Sequence, residues 1–388
     1  MLYIHIPYCK GKCIYCDFYS AGNPDFKRYL KAVITELTER IGEIQNGSLS
    51  SIYIGGGTPS LIPAKVFSEF ASELFYTLDA HGVALEKDAE ITIEVNPEDV
   101  TSDLAATWVA CGINRVSMGV QTMNRSELTF LRRRHSADKV ADALSTVKSY
   151  FNNISVDVIY GIPGQTPDSL AETLRELITY RPTHLSAYSL TYEPKTPLYL
   201  LREQKKIREV PEEEHLRLEE YLVSYLANHG YDRYEISNYA LPGYQSRHNG
   251  GYWRGKAYLG LGPSACSFDG EKIRRNNPPD IKKYLHRFSK EKCQPSEDTS
   301  EIYRNPFYLE EILSSEERRE ETIFTELRTK EGIYLEEYLA SYGPSNLETL
   351  LKKAEKWIKT GDMFESGNRL RFTSKGLRIS DHIIVELL

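Results

Sequence analysis

The chain has 388 residues, 40% hydrophobic and 27% charged, which excludes collagenous, coiled-coil and disordered classes and suits two or three domains or one large α/β barrel with appendages. With 48 Lys plus Arg against 55 Asp plus Glu the net charge is -7, so nucleic acid is not expected as a partner and a membrane is met at most peripherally. No run approaches the ~18 uncharged apolar residues of a membrane span, and no basic leader precedes the first strand-like run, so a cytoplasmic protein is expected.

In chain order, strands are expected at 2–6, 51–54, 90–95, 115–120, 154–160 and 184–190, each rich in β-branched or aromatic residues and followed by turn residues. Helical patterns separate them. The first is the clearest, with Asn23 as cap, Pro24 in the first turn and an apolar stripe from Phe26 through Tyr29, Leu30, Val33, Ile34 and Leu37 to Ile41 and Ile44. Repeated strand-then-helix units imply a parallel sheet with right-handed crossovers, either open and doubly wound or a partial barrel. After residue 190 the alternation stops: Pro194, Pro197, a charged run at 202–208 and an acidic-start helix at 211–229 lead into a loop-rich section at 231–277. From about Asn305 helices are expected at 307–317, 335–342 and 347–360, then a strand-turn-strand at 364–372 around Ser366-Gly367-Asn368, an order like a winged helix. Six Glu against two Arg between Glu310 and Glu321 would repel a duplex, which speaks against DNA binding. The expected organisation is residues 1–195 for the strand-helix units, 196–300 for an extension and 301–388 for a C-terminal module.

Six cysteines are too few and too uneven for a disulfide framework. Cys111, Cys266 and Cys293 stand alone and read as packed or incidental thiols, whereas Cys9-x3-Cys13-x2-Cys16 occupies the loop after the first strand. Three thiolates on one tight turn, helped by Gly11, can converge on one metal centre. Zinc would close such a site with a fourth ligand, His5 or Asp17; a centre with three protein ligands keeps a position open for chemistry. Gly55-Gly56-Gly57-Thr58-Pro59-Ser60 ends the second strand, where missing Cβ atoms would let a ligand reach the backbone. Alternation puts Glu94 opposite Ile91 and Ile93 at the carboxyl end of the third strand, either solvated or facing a lumen.

The three-cysteine motif, with Tyr15 before its last member, resembles the signature of the radical S-adenosylmethionine (SAM) superfamily, and the longer string Tyr3-Ile4-His5-Ile6-Pro7-Tyr8-Cys9 narrows the resemblance to the oxygen-independent coproporphyrinogen oxidase group. It covers nearly the whole chain. It implies a partial six-unit (β/α) barrel followed by the extension and a winged-helix-like module. It further implies a [4Fe-4S] cluster on Cys9, Cys13 and Cys16 whose fourth iron binds the methionyl amine and carboxylate, electron-driven cleavage of SAM to methionine and a 5'-deoxyadenosyl radical, and an electron donor such as flavodoxin or ferredoxin. By motif, Tyr3, Phe18, Gly56, Gly57, Thr58, Glu94, Gln121, Arg133 and Asp157 would form the SAM site. The glycine loop would take the amino group, Arg133 the carboxylate, Gln121 would offer an amide and Asp157 would accept from the ribose. Flanked by Arg132 and Arg134, Arg133 also reads as a solvated basic turn.

The group has two branches. The oxidase branch, which converts coproporphyrinogen III to protoporphyrinogen IX, carries a fourth cysteine two residues after the third, where this chain has Phe18. The sister branch, the HemW family of heme chaperones, carries Cys-Asp-Phe there and His-Asn-x-x-Tyr-Trp further on, matching Cys16-Asp17-Phe18 and His248-Asn249-Gly250-Gly251-Tyr252-Trp253. A His can ligate heme iron, Tyr252 and Trp253 offer flat apolar area to a porphyrin, and Gly250-Gly251 lets the backbone pass close to it; the same residues also read as plain core. The expectation is heme binding at His248, Tyr252 and Trp253 with transfer to an acceptor protein, and coproporphyrinogen oxidation is the alternative.

Overall fold

The computed structural model describes residues 1–289 and 307–388; Cys293 and the expected boundary at residue 300 lie outside the described residues. All six expected strands form: β1 (Leu2–Ile6), β2 (Ser48–Gly56), β3 (Ala84–Val95), β4 (Arg115–Gln121), β5 (Ile154–Tyr160) and β6 (His184–Ser189). β2 and β3 start earlier than their apolar runs because Ser48 and Leu49 pair with Ala84 and Leu85 ahead of a register shift, so backbone pairing, not hydrophobicity, sets those ends. The helices between are α1 (Phe26–Arg40), α2 (Ala64–Ala80), α3 (Ser102–Ala110), α4 (Arg125–Phe130), α5 (Ala137–Lys148) and α6 (Pro167–Thr179). The cap of α1 is Asp25 rather than Asn23: its carboxylate accepts from Arg28 N at 3.1 Å, while Asn23 sits in the left-handed region at φ 55°. The stripe also ends early, since α1 stops at Arg40 and Ile41 opens a short 3-10 turn.

Past β6 come α7 (Pro197–Glu203) and α8 (Glu212–Asn228). The section expected as loops instead carries short strands, β7 (Asp232–Arg233), β8 (Asn238–Ala240), β9 (Leu259–Leu261), β10 (Cys266–Phe268) and β11 (Ile273–Asn276), with α9 (Arg247–Trp253) among them and α10 (Ile281–Phe288) after. Runs of two to four residues are too short to show a period. The large sheet has the order β7-β8-β6-β5-β4-β3-β2-β1-β9. β1 to β6 are parallel and in sequence order, so every crossover steps the same way; a doubly wound sheet would reverse direction midway. β9 adds parallel to β1 and β8 antiparallel to β6, and the two ends do not pair, which leaves a partial, open barrel.

Alternation along these strands runs apolar outward and polar inward. Ile4, Ile52, Ile93, Val116, Met118, Val156 and Leu185 are buried in the main apolar cluster, while Tyr3, Tyr53, Glu94, Ser117, Asp157 and Ser186 line one cavity on the other face. A filled barrel packs its lumen with apolar side chains; this one keeps a polar hollow. The extension is fastened to it by Glu36 of α1, fully buried, which accepts from Arg40 Nη1 (2.8 Å), Tyr284 OH (2.7 Å), Asn277 Nδ2 (2.8 Å) and Gly262 N (2.8 Å).

In the C-terminal part, β12 (Leu309–Ile312) replaces the first half of the helix expected at 307–317, because Glu310 and Glu311 lie opposite Arg275 and Arg274 of β11. The helix starts later, as α11 (Ser315–Glu326), with Ser314 and Glu317 forming a capping box. β13 (Ile333–Tyr334), α12 (Leu335–Tyr342), α13 (Pro344–Lys359), β14 (Met363–Glu365) and β15 (Arg369–Phe372) follow. They build a small antiparallel sheet, β13-β15-β14, over a separate apolar cluster. Backbone bonds from Ile236 N to Arg328 O (3.1 Å) and Lys330 N to Tyr234 O (2.9 Å) dock this module on the extension. Among the described residues no helix is long and apolar enough to cross a membrane.

Candidate cofactor and ligand cavity

A cavity of about 1170 Å3 runs from the cysteine loop across the carboxyl ends of the strands to α11. A pocket for one drug-sized ligand holds ~300–1000 Å3, so there is room for more than one group. Its two ends differ in chemistry.

At the first end Cys9, Cys13 and Cys16 are half-buried and line the wall together. Burial pushes the Cys9 and Cys16 thiols above the ordinary thiol range. Thr58 Oγ1 donates to Cys9 Sγ at 3.4 Å and Arg133 Nη1 to Cys13 Sγ at 3.4 Å. Among the described residues no three His, Cys, Asp or Glu side chains are gathered around a single ion. His5 is engaged as well: its Nε2 donates to Tyr19 O (3.1 Å), which leaves Nδ1 to accept from Tyr3 OH (2.9 Å).

The glycine loop is held against the cysteine loop by Gly57 N to Ile6 O (2.7 Å) and Thr58 N to Tyr8 O (2.8 Å). A Cβ on Gly57 would lie 2.6 Å from Ile6 O, and one on Gly56, at φ 103°, would strike the His5 ring. These glycines are required by the protein's own packing before any ligand arrives. Gly56 N donates to Glu94 Oε2 at 2.9 Å and Tyr53 OH to Glu94 Oε1 at 2.7 Å. Burial, with the nearby Asp157 charge adding to it, nevertheless pushes the Glu94 carboxyl up to about 7. Glu94 therefore faces the lumen rather than bulk solvent.

Arg132 and Arg134 are exposed, but Arg133 turns inward. The chain reverses at Arg132 (φ 56°), and the Arg133 guanidinium donates to Asn96 Oδ1 (2.6 Å) and Gly119 O (2.7 Å). The solvated basic turn does not describe it. Gln121 has φ 72° beside a register shift in β4, a strained backbone that sets its side chain on the cavity wall. Asp157 accepts from Ser117 Oγ at 3.3 Å, and burial raises its carboxyl. Phe18 stands at the rim, 67% exposed. All nine residues expected around SAM line this cavity. Asn96, which joins Arg133 to Thr58 Oγ1 (3.1 Å), was not singled out by sequence, although it lies in the same Glu94-Val95-Asn96-Pro97 string.

At the second end Tyr252 and Trp253 line the wall, and His248 does not. The imidazole is 1% exposed, with Nδ1 bonded to Ser51 Oγ (2.9 Å), Nε2 to Tyr252 OH (2.9 Å) and its face stacked on Tyr53 at 5.1 Å. Burial, and then the charge of the N-terminal ammonium, lowers it to about 3, so the ring is neutral. Glu90 holds the start of α9, accepting from Ser246 Oγ (3.2 Å), Arg247 N (3.1 Å) and His248 N (3.2 Å). Gly251 makes room for Met1 rather than for a ligand, since a Cβ there would strike the Met1 side chain. The rest of this end comes from Tyr258, Cys266, Phe268 and Arg274 and from Arg318, Glu321 and Phe324 of α11. No sequence motif announced them. Cys266, expected as incidental, is an exposed thiol on the wall.

Residues 3–177 match the model of the radical SAM superfamily and residues 313–379 that of the HemN C-terminal domain. The chain is 30% identical to the heme chaperone HemW of Lactococcus lactis over 100% of this chain and 96% of that protein. It is 31% identical to the HemW of Bacillus subtilis over 90% and 91%, and 34% identical to that of Escherichia coli over 68% of each. The solved structure of coproporphyrinogen III oxidase (HemN) from Escherichia coli, a radical SAM enzyme, superposes with a TM-score of 0.80 at 22% identity, covering 100% of this chain and 89% of that one, which shows a common fold.

Proposed function

The chain belongs to the HemW family and carries the radical SAM fold, and on that premise we propose that it is a heme chaperone that binds heme and passes it to an acceptor protein, with a [4Fe-4S] cluster and SAM as cofactors. The observation that carries the proposal is the single cavity with a thiol-bearing polar end and an aromatic end. Cys9, Cys13 and Cys16 would hold the cluster, and three protein thiolates leave its fourth iron open. When bound, the cluster supplies one-electron chemistry to SAM. Arg133 supplies the cation for the SAM carboxylate. Gly56 and Gly57 present backbone for the amino group, Glu94 and Gln121 hydrogen-bonding groups, and Asp157 an acceptor for ribose hydroxyls, while Tyr3, Thr58 and Phe18 complete the wall.

At the other end Tyr252 and Trp253 cover the macrocycle, a gain of ~25 cal/mol per Å2 of apolar area. His248 acts first as the support of Tyr252, since it reaches iron only by giving up that hydrogen bond. The assignment is tested by titrating the anaerobically reconstituted protein with heme, parent beside His248→Ala. A weaker but spectrally unchanged complex is expected; a shifted Soret band would make His248 the ligand, and no heme binding by the parent would refute the function. Coproporphyrinogen oxidation predicts protoporphyrinogen IX and carbon dioxide after anaerobic incubation of coproporphyrinogen III with SAM, reductant and an electron acceptor, and the Phe18 position disfavours that activity.

A further inference from the structure

The second end of the cavity carries a charge arrangement that the aromatic wall does not explain. Arg274 Nη2 lies 2.6 Å from Glu321 Oε1, and Arg318 Nη1 lies 2.8 Å from Glu321 Oε2. One carboxylate therefore faces two guanidinium groups from different parts of the molecule, β11 and α11, leaving a surplus positive charge on the wall. Glu311, the other acid near Arg274, sits opposite it on β12 and is exposed, away from the cavity lining. Both guanidinium groups also lie over the Phe268 ring, at 5.7 Å and 4.7 Å from its centre. Gly255, just past Trp253, turns the chain in the left-handed region at φ 59°, and Arg318 Nη2 packs against it in ordinary contact. Two half-buried cations thus line the same cavity as Tyr252 and Trp253, each with donors in a planar fork suited to a carboxylate.

We propose that Arg274 and Arg318 form the receptor for the propionate carboxylates of heme, and that Glu321 occupies their donors until heme displaces it. The proposal rests on the heme reading given above. A planar macrocycle against Tyr252 and Trp253 presents its two acidic side chains at one edge, and the two guanidinium groups line the same cavity beside Phe268. Because Glu321 and Arg318 share α11 while Arg274 is on β11, loading exchanges a tie between the C-terminal module and the extension for ties to the ligand. No bond to the ligand other than hydrogen bonds is involved.

The test compares iron protoporphyrin IX with its dimethyl ester, which keeps the macrocycle and removes both negative charges, under one set of detergent conditions. An Arg274→Gln and Arg318→Gln double variant should bind the acid at least tenfold more weakly than the parent and the ester equally well. Glu321→Gln, which leaves both cations in place with a neutral competitor, should bind the acid several-fold more tightly. Equal loss for acid and ester, or loss for neither, overturns the receptor, and an unchanged Glu321→Gln variant overturns the displacement. A parent that binds neither ligand overturns the heme reading itself, whereas a parent that binds both alike keeps that reading and removes the receptor.

Discussion

The two ends of the cavity are built from different spans of chain, and that is why they differ in how they can be recognised and perturbed. The first end is assembled from β1 to β5, mostly by residues at or just past the carboxyl ends of the strands, so a short string such as Cys9-x3-Cys13-x2-Cys16 or Glu94-Val95-Asn96 already contains the local geometry. The second end joins α9, the β10–β11 hairpin and α11, elements far apart in the chain whose meeting, as between Arg274 and Glu321, follows from docking of the C-terminal module. Function at strand ends is anchored by the sheet. Function at the second end depends on how three small elements sit together.

The sharpest way to break this contrast is at the cysteines. Alanine at Cys9, Cys13 or Cys16 should abolish the about four iron and four sulfide per chain that reconstitution otherwise yields, and leave heme binding in place. Iron and sulfide analysis decides it, and stoichiometric zinc without sulfide in the parent would put a different metal at the loop. The next largest effect is expected at Gly56→Val, where φ 103° and the His5 ring both oppose a side chain. A loss of ~3 kcal/mol or more in unfolding free energy is expected, and an unchanged midpoint would mean that the glycine loop yields easily. Trp253→Ala should weaken heme binding about tenfold, the loss of ~1.4 kcal/mol of apolar cover, with iron and SAM binding unaltered; an equal fall in SAM affinity would merge the two ends.

A further predicted effect is a pH dependence confined to the first end. The folded Glu94 carboxyl titrates at about 7, above its unfolded value, so folding takes up a proton. The stability linked to this group is full below the unfolded value and falls as pH rises towards 7. Glu94→Gln has no such loss. It should match the parent at pH 4 and exceed it by about 1–3 kcal/mol above pH 7, as read by thermal unfolding without ligands; a difference independent of pH would remove the titration.

The six strand-helix units were legible because the strands alternate and the helices carry apolar stripes, and the parallel pairing of β1 to β6 followed from that rhythm; their order in the sheet did not. The choice between an open and a rolled sheet was not legible either, since that depends on the direction of successive crossovers and not on any local pattern. β8 and β9, of three residues each, gave no period, yet they extend both sides of the sheet. At the site, the residues in strings were found, Arg133 among them. His248 was read as a ligand because the motif names its residue type; only tertiary packing shows that Ser51 and Tyr252 already occupy both ring nitrogens. Arg274 and Arg318 lie in sequence surroundings like those of any surface arginine, and their meeting at Glu321 is a product of the fold.

That one cavity holds two independent sites is tested most directly by titrating heme into the Cys9, Cys13 and Cys16 triple alanine variant beside the reconstituted parent. The cysteine thiols bond Thr58 and Arg133 and share no partner with Tyr252 or Trp253; such sites add to within ~0.5 kcal/mol, so the variant, empty of iron and sulfide, should bind one heme with an affinity within about twofold of the parent. Loss of heme binding together with the cluster would contradict the account.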